Sequence, residues 1–418
     1  MKVAFVSTLY HPHAIGGAEV TVRLVAEGLV RAGHRATVIS LSPDGRTWDG
    51  EVAGVRTHYL PLANLYWPFE TTARSPLTKL AWHLIDGYNP VMGRRVGRLL
   101  AAERPDVVHC HNLFGFSAAV WRAARRLGLP VVQTLHDYYL GCPRGTMYRN
   151  GRNCARQCAD CRVLTRGRRS LSGLPHAVTG VSRRMLGRLE ATGLFGAVAR
   201  RSVIQGCNFD EAPPAPRPPR PAGAPLRLGY FGRVEPIKGV ELLLDAVAGL
   251  PPERFRLRIG GRGPAPFMER LRARPDAGAV EYLGFVRPAE FFAGIDYLVV
   301  PSLWEDPLPR VVHEAFSFGV PVIGAAVGGI PEMVTDGRTG FLFPAGDAEA
   351  LRALLSRLPA DAGELARLSA ACLSRAEDFA FDRIFALYRE VLEAAAADGA
   401  PGPARSAATL AWAAPKER

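Results

Sequence analysis

Two cations and two acids in the second half of the chain have spacings that suit phosphate and sugar chemistry. In Tyr230-Phe-Gly-Arg-Val-Glu-Pro-Ile-Lys-Gly239, a strand-like run ends at a glycine. Arg233 and Lys238 follow in a loop, just before a helical pattern begins. Two cations beside a helix N-terminus can hold a diphosphate, although spacing alone equally allows two solvated loop charges. Farther on, Pro301-Ser-Leu-Trp-Glu-Asp306-Pro-Leu-Pro-Arg-Val-Val-His-Glu314 places Asp306 in a loop and Glu314 inside the following helix. A carboxylate accepts more than one hydrogen bond, so both acids suit the paired hydroxyls of sugars. The loop between them at Pro307 and Leu308, with the helix N-terminus, can hold phosphate. The plainer alternative is an N-cap aspartate and an ordinary helical glutamate. A third cluster is Cys142, Cys154, Cys158 and Cys161. Four thiols within twenty residues suit a closed tetrahedral zinc site. Free thiols, two disulfides or an iron–sulfur cluster are the alternatives, and disulfides are disfavoured in a reducing compartment.

These residues need a scaffold, and the apolar pattern supplies one. Short, β-branched apolar runs at 2–7, 36–41, 107–109, 131–135 and 177–181 read as buried strands, with helical patterns at 19–31, 92–103 and 116–127. Residues 211–225 are rich in proline and lack apolar periodicity, as a linker does. The same grammar then resumes. Strands are expected at 226–231, 255–259, 280–283, 297–301 and 320–324, and helices at 240–248, 266–272 and 310–318. Alternation of strand and helix predicts an α/β fold with parallel, doubly wound sheets, and such sheets bind ligands beyond the carboxyl ends of their strands. The expected organisation is an N-terminal domain at 1–210 carrying a Cys-rich basic loop at 142–169, the linker at 211–225, and a second domain at 226–377. A helix at 378–397, packing back toward the first domain, and a disordered tail at 398–418 complete it. The cleft between the two domains is the default site.

The chain has 418 residues and a formal net charge of +13. Residues 1–200 hold 27 Lys and Arg against 12 Asp and Glu; the remainder holds 25 against 27. All of the excess therefore lies in the first half, which points to an anionic partner there. Arginines crowd the Cys-rich loop (Arg144, Arg149, Arg152, Arg156, Arg162, Arg166, Arg168 and Arg169). Compositional drift explains arginine over lysine but not the imbalance between halves, so an anionic membrane or lipid-diphosphate acceptor is the favoured partner. A nucleic-acid binder would interleave aromatic residues with the basic run, and only Tyr148 does so here. No run of 18 apolar residues is present, so no spanning helix is expected. The first eight residues are too short a run for a signal peptide. A cytoplasmic location, peripheral on the inner membrane face, follows as an expectation.

Taken in order, several segments resemble retaining glycosyltransferases of family 4, the group 1 glycosyltransferases, across about residues 1–395. They are Gly16-Gly-Ala-Glu19, Asp106-Val-Val-His-Cys-His111, Thr134-Leu-His-Asp137, Gly232–Gly239, Leu283-Gly-Phe-Val286, the acid-x7-Glu segment, Gly328-Gly-Ile-Pro-Glu332 and Asp336–Gly340. The resemblance implies a GT-B fold, two Rossmann-like domains facing each other across a cleft. It implies transfer of a sugar, a hexosyl group, from a nucleotide-sugar donor to a cell-surface glycan or lipid-linked acceptor, with retention and without a catalytic metal. Gly16 and Gly17 would let the backbone approach the donor diphosphate. Arg233 and Lys238 would stabilise it as a leaving group. Phe285 and Val286 would lie at the nucleotide base, Glu314 at the ribose, Asp306 at the donor sugar and His136 facing the transferred sugar, with Asp137 near the acceptor. The family usually has glutamate where Asp306 stands, and Glu305 is one position out of register. A nucleotide-sugar epimerase of the same architecture and an inactive sugar-binding homologue are the alternative readings.

Overall fold

The computed structural model describes residues 1–13, 16–70, 72–208, 223–251, 253–274 and 280–399. Most of the proline-rich linker and nearly all of the expected tail lie outside these residues. Two sheets dominate. The first has eight strands: β1 (Lys2–Val6), β2 (Arg35–Ser42), β3 (Trp48–Val52), β4 (Val55–Pro61), β5 (Val107–Cys110), β6 (Val131–Leu135) and, after a two-stranded hairpin β7 (Tyr148–Arg149) and β8 (Arg152–Asn153), β9 (Ala177–Gly180) and β10 (Arg200–Val203). Their spatial order is β10-β9-β6-β5-β1-β2-β4-β3, with β3 alone antiparallel. The second sheet has β11 (Leu226–Phe231), β12 (Phe255–Gly260), β13 (Val280–Gly284), β14 (Tyr297–Val300), β15 (Val322–Ala325) and β16 (Gly340–Phe343). Its order is β13-β12-β11-β14-β15-β16, all parallel.

Parallel sheets form only where helices cover both faces. The central strands are accordingly buried throughout, as in Val107–Cys110, Val131–Leu135 and Tyr297–Val300. One face of the first sheet packs Val96, Leu100, Trp121 and Leu189. The other packs Val22, Val25 and Leu29 of helix Gly17–Arg31 together with Phe381, Ile384, Tyr388 and Leu392. Those last four belong to helix Phe381–Gly399, which crosses back from the second sheet to the first. That helix extends past the expected start of the tail, because Asp398 pairs with Arg200 at 2.7 Å.

Several boundaries differ from expectation. The helix expected at 116–127 begins at Ala119, after Gly115 and Ser117 take positive φ angles. The strand expected at 320–324 is shifted to Val322–Ala325. Among the described residues, no helix is long and apolar enough to cross a membrane.

Candidate functional site

The carboxyl ends of both sheets face a shared cleft of about 410 Å³. From the first sheet, β1 leads into Thr8 and the Gly16-Gly17 turn, β5 into Asn112, and β6 into His136 and Asp137. From the second, β11 leads into Arg233 and Lys238, and β14 into Trp304 and Asp306. Residues far apart in the chain thus meet because parallel strands deliver their loops to one edge.

Lys238 ends a single 3₁₀ turn, Pro236–Lys238, and its Nζ contacts Asp306 Oδ2 at 2.5 Å. The ammonium also lies 5.4 Å from the Trp304 ring centre. Gly239 makes this turn possible. Its φ is +74° and a Cβ there would stand 1.9 Å from the Pro301 carbonyl. The Asp306 loop is seated in the same way by Gly328 and Gly329. A Cβ on Gly328 would fall 2.2 Å from Asp306 O, and Gly329 N donates to that oxygen at 2.8 Å. Glu305 turns away from the cleft, pairing with Arg184 and with Arg188 at 2.9 Å. Of the two adjacent acids, Asp306 is the one that lines the cleft.

On the opposite wall, Gly16 opens helix Gly17–Arg31, and Glu19 Oε2 accepts the Gly16 amide at 2.8 Å. Gly17 lies directly against Arg310; a Cβ would come within 2.3 Å of its Cδ. Arg310 also donates to Cys207 O at 3.0 Å and pairs with Glu314 at 3.2 Å. Arg310 lines the cleft, and Glu314 stands behind it as its ion-pair partner. Pro307 and Leu308 do line it. With proline at 307 and 309, only Leu308 and Arg310 can donate amides in that loop.

His136 Nε2 meets His111 Nδ1 at 2.8 Å, and His111 in turn lies against His109, ring centres 4.1 Å apart. Burial pushes His136 down to about 4 and His109 to about 3. His136 is thus a neutral hydrogen-bonding group, and its Nδ1 has no partner among the described residues. Asp137, whose Oδ1 accepts the Tyr139 amide at 2.8 Å, is pushed up to about 6, chiefly because its surroundings exclude water. Its unfolded value is about 3.9. The protonated carboxyl therefore favours the fold fully below that value, and the contribution is lost as pH rises through about 6. Asp137→Asn is expected to stabilise the protein at pH 8 by about 1–3 kcal/mol and to flatten the pH dependence of Tm between 4 and 6. Melting curves across pH check this; a variant no more stable than wild type at pH 8 contradicts it.

Not every candidate reaches the cleft. Arg233 lines it, but its guanidinium pairs with Glu235 at 2.8 Å. Phe285 follows β13 at the same sheet edge, 75% exposed, with the Arg262 guanidinium 5.6 Å from its ring centre; Val286 packs into the adjacent core. Neither lines the cavity. None of the four cysteines lines the cleft, although Pro143–Gly145, next to Cys142, does. The arginine-rich loop also needs correction as a uniform charged surface. Arg168 is fully buried against Asp86 at 2.7 Å, and Arg149 is spent on Asp160 at 3.1 Å. Residues that spacing alone did not single out include Arg310, Trp304 and two interdomain ties. Glu332 accepts the amides of Arg183 and Arg184 at 2.9 and 2.7 Å, closing a helix N-terminus of the other domain. Asn153, at the end of the β7–β8 hairpin, accepts from Glu305 N at 2.8 Å and donates to Leu303 O at 2.9 Å.

Two Rossmann-like sheets with their carboxyl edges across one cleft define the GT-B architecture. The relatives agree. Residues 16–206 match the model of the glycosyl transferase 4-like domain, and residues 225–361 match that of glycosyl transferases group 1. The chain is 31% identical over 333 residues to an uncharacterised 42.6 kDa protein in the cps region of Klebsiella pneumoniae, covering 80% of this chain and 87% of that one. It is 31% identical to glycogen synthase of Mycobacterium tuberculosis, covering 88% and 89%. Among solved structures, Anabaena HepE in complex with UDP-glucose superposes with a TM-score of 0.68 at 19% identity, covering 94% of this chain and all of that one. Sucrose-phosphate synthase of Thermosynechococcus elongatus superposes with a TM-score of 0.72 at 22% identity, covering 94% and 99%. The protein belongs to the group 1 glycosyltransferases.

Proposed function

We propose that the protein transfers a hexosyl group, with retention, from a nucleoside diphosphate sugar to a glycan or lipid-linked acceptor of the cell envelope. The observation that carries this reading is the convergence of the Gly16-Gly17 turn, His136 and the Lys238–Asp306 pair on one interdomain cleft. The bound UDP-glucose of the Anabaena relative supports a nucleotide-sugar donor, and the cps-region relative supports an envelope polysaccharide acceptor.

The chemistry follows from charge. As the glycosidic bond to the diphosphate breaks, negative charge builds on the leaving oxygens and positive charge on the sugar. Lys238 and Arg233 stand where they can neutralise the former once a ligand draws them from Asp306 and Glu235. The two glycines leave room for phosphate beside the start of helix Gly17–Arg31. Asp306 and neutral His136 then hold sugar hydroxyls and position the ring. Glu314, held by Arg310, is assigned to the ribose, and Phe285 and Val286 at the adjoining sheet edge to the base. No metal is given a catalytic step.

The acceptor side fits an anionic membrane surface. A groove of about 520 Å³ between helices Pro90–Glu103 and Ala119–Arg126 is lined by Arg94, Arg98, Arg122 and Arg126. None of the four has a carboxylate partner among the described residues. On the preceding helix, Pro76–Gly87, Leu77, Leu80 and Leu84 are exposed at helical spacing. Basic and apolar exposure in neighbouring helices is what an anionic bilayer surface attracts. Incubation with a panel of UDP-, GDP- and ADP-sugars and lipid-linked acceptors, with product anomers read by NMR, tests the reading. Retained configuration with one nucleotide class supports it. Inverted product overturns the stereochemical part.

A further inference from the structure

We propose that Cys142, Cys154, Cys158 and Cys161 bind one structural Zn²⁺ ion, and that this ion anchors the β7–β8 hairpin against the loop carrying Asp306. All four cysteines are free thiols. Cys161 Sγ lies 3.3 Å from Cys158 Sγ and 3.8 Å from Cys142 Sγ. Tetrahedral zinc with Zn–S bonds near 2.3 Å sets its sulfurs about 3.8 Å apart. Cys154 and Cys158 both pack on the apolar cluster that contains Cys142 and Cys161.

The chain after Cys142 folds back so that Cys154 meets Met147. Gly145 N donates to Cys142 O at 2.8 Å, and Cys154 N donates to Met147 O at 2.8 Å. This tight turn uses left-handed backbone at Gly145 and Met147, with φ of +73° and +48°. The ligand atoms of Cys158, Cys161 and Asp160 lie within 4.8 Å of one another, so Cys142 and Cys154 must close onto them for four sulfurs to share one ion. The Asp160 carboxylate, however, accepts from Arg149 at 3.1 Å and from the Cys161 amide at 3.0 Å, so it is assigned an outer, orienting place.

The hairpin explains why a staple is needed. Its strands have two residues each, around Asn150 and Gly151 at positive φ. Such a ribbon does not hold itself together in water. Yet it carries Asn153, which ties both Leu303 O and Glu305 N, and Cys154 O accepts from Arg188, which also pairs with Glu305. A closed four-thiolate site would fix this segment, displacing the thiol protons to solvent and leaving no open position for catalysis.

Elemental analysis of the full chain, purified anaerobically from zinc-supplemented medium, tests the assignment without any variant. About one zinc per chain is expected, and below about 0.2 in Cys158→Ser and in Cys154→Ser. Chelation should lower Tm by about 5–10 °C, and added Zn²⁺ should restore it. Several results overturn the proposal. They are zinc-free wild type with four reactive thiols, a mass two hydrogens lower from a Cys158–Cys161 disulfide, iron with absorbance near 400 nm, and full zinc in Cys154→Ser. Zinc stoichiometry is independent of the transferase reading; if that reading fails, the metal result stands by itself.

Discussion

Replacing Lys238 by alanine is expected to lower kcat for sugar transfer by about 10²–10³-fold, the usual cost of removing one preorganised group from a developing charge. On the proposed reading Lys238 meets the leaving diphosphate from within the cleft, where Asp306 at 2.5 Å and the Trp304 face hold it. The variant also leaves the Asp306 carboxylate, 7% exposed, without its counter-charge. A stability loss of about 1–3 kcal/mol should therefore accompany the kinetic one. The two effects separate experimentally. Asp306→Asn in the Lys238→Ala background should recover stability but not turnover. Steady-state kinetics with matched melting curves measure both, and unchanged kcat in Lys238→Ala would remove it from the machinery.

The second large effect is structural. Asp86→Ala should destabilise the protein by about 3–5 kcal/mol, because it strands a fully buried guanidinium. Asp86 Oδ2 accepts from Arg168 Nη2 at 2.7 Å and from Tyr139 OH at 2.6 Å, and Oδ1 accepts the Gly115 amide at 2.8 Å. Arg168 further donates to Tyr139 O at 2.6 Å, its guanidinium 3.7 Å from the Tyr139 ring centre. Tyr139 lines the cleft and follows the His136-Asp137 loop. Loss of the network should thus lower Tm by about 6–20 °C for a domain of this size and loosen this wall of the cleft. Arg166→Ala, on the exposed side of the same helix, should shift stability by no more than about 0.5 kcal/mol. Equal effects from the two variants would contradict the buried assignment.

What could be read in advance follows from where each residue's energy is spent. Strands buried on both faces, such as Val131–Leu135 and Leu226–Phe231, announce themselves as apolar runs and lie where they were expected. Helix Pro76–Gly87 was not legible, because it turns Leu77, Leu80 and Leu84 outward and blurs the amphipathic pattern. The β3–β4 hairpin was missed too, since β3 alternates half-buried and exposed residues at a sheet edge. At the site, Lys238 and Asp306 could each be picked out within a motif. Their contact could not, because 68 residues separate them. Asn153 and Glu305 are 152 residues apart and share no pattern. Arg168 looked like one more surface arginine because composition hides burial; only the fold shows Asp86 waiting for it. The uneven charge of the two halves remains informative, and the structure traces part of it to the groove of Arg94, Arg98, Arg122 and Arg126.

The central claim is that the interdomain cleft binds a nucleotide sugar and spends its cations on the departing diphosphate. Nucleotide release from UDP-, GDP- and ADP-sugars, measured with acceptor present for wild type and Lys238→Ala side by side, tests it most directly. Saturable, acceptor-dependent release from one nucleotide class is expected in wild type, reduced about 10²–10³-fold in the variant. Release that is equal in both proteins, or independent of acceptor, would contradict it.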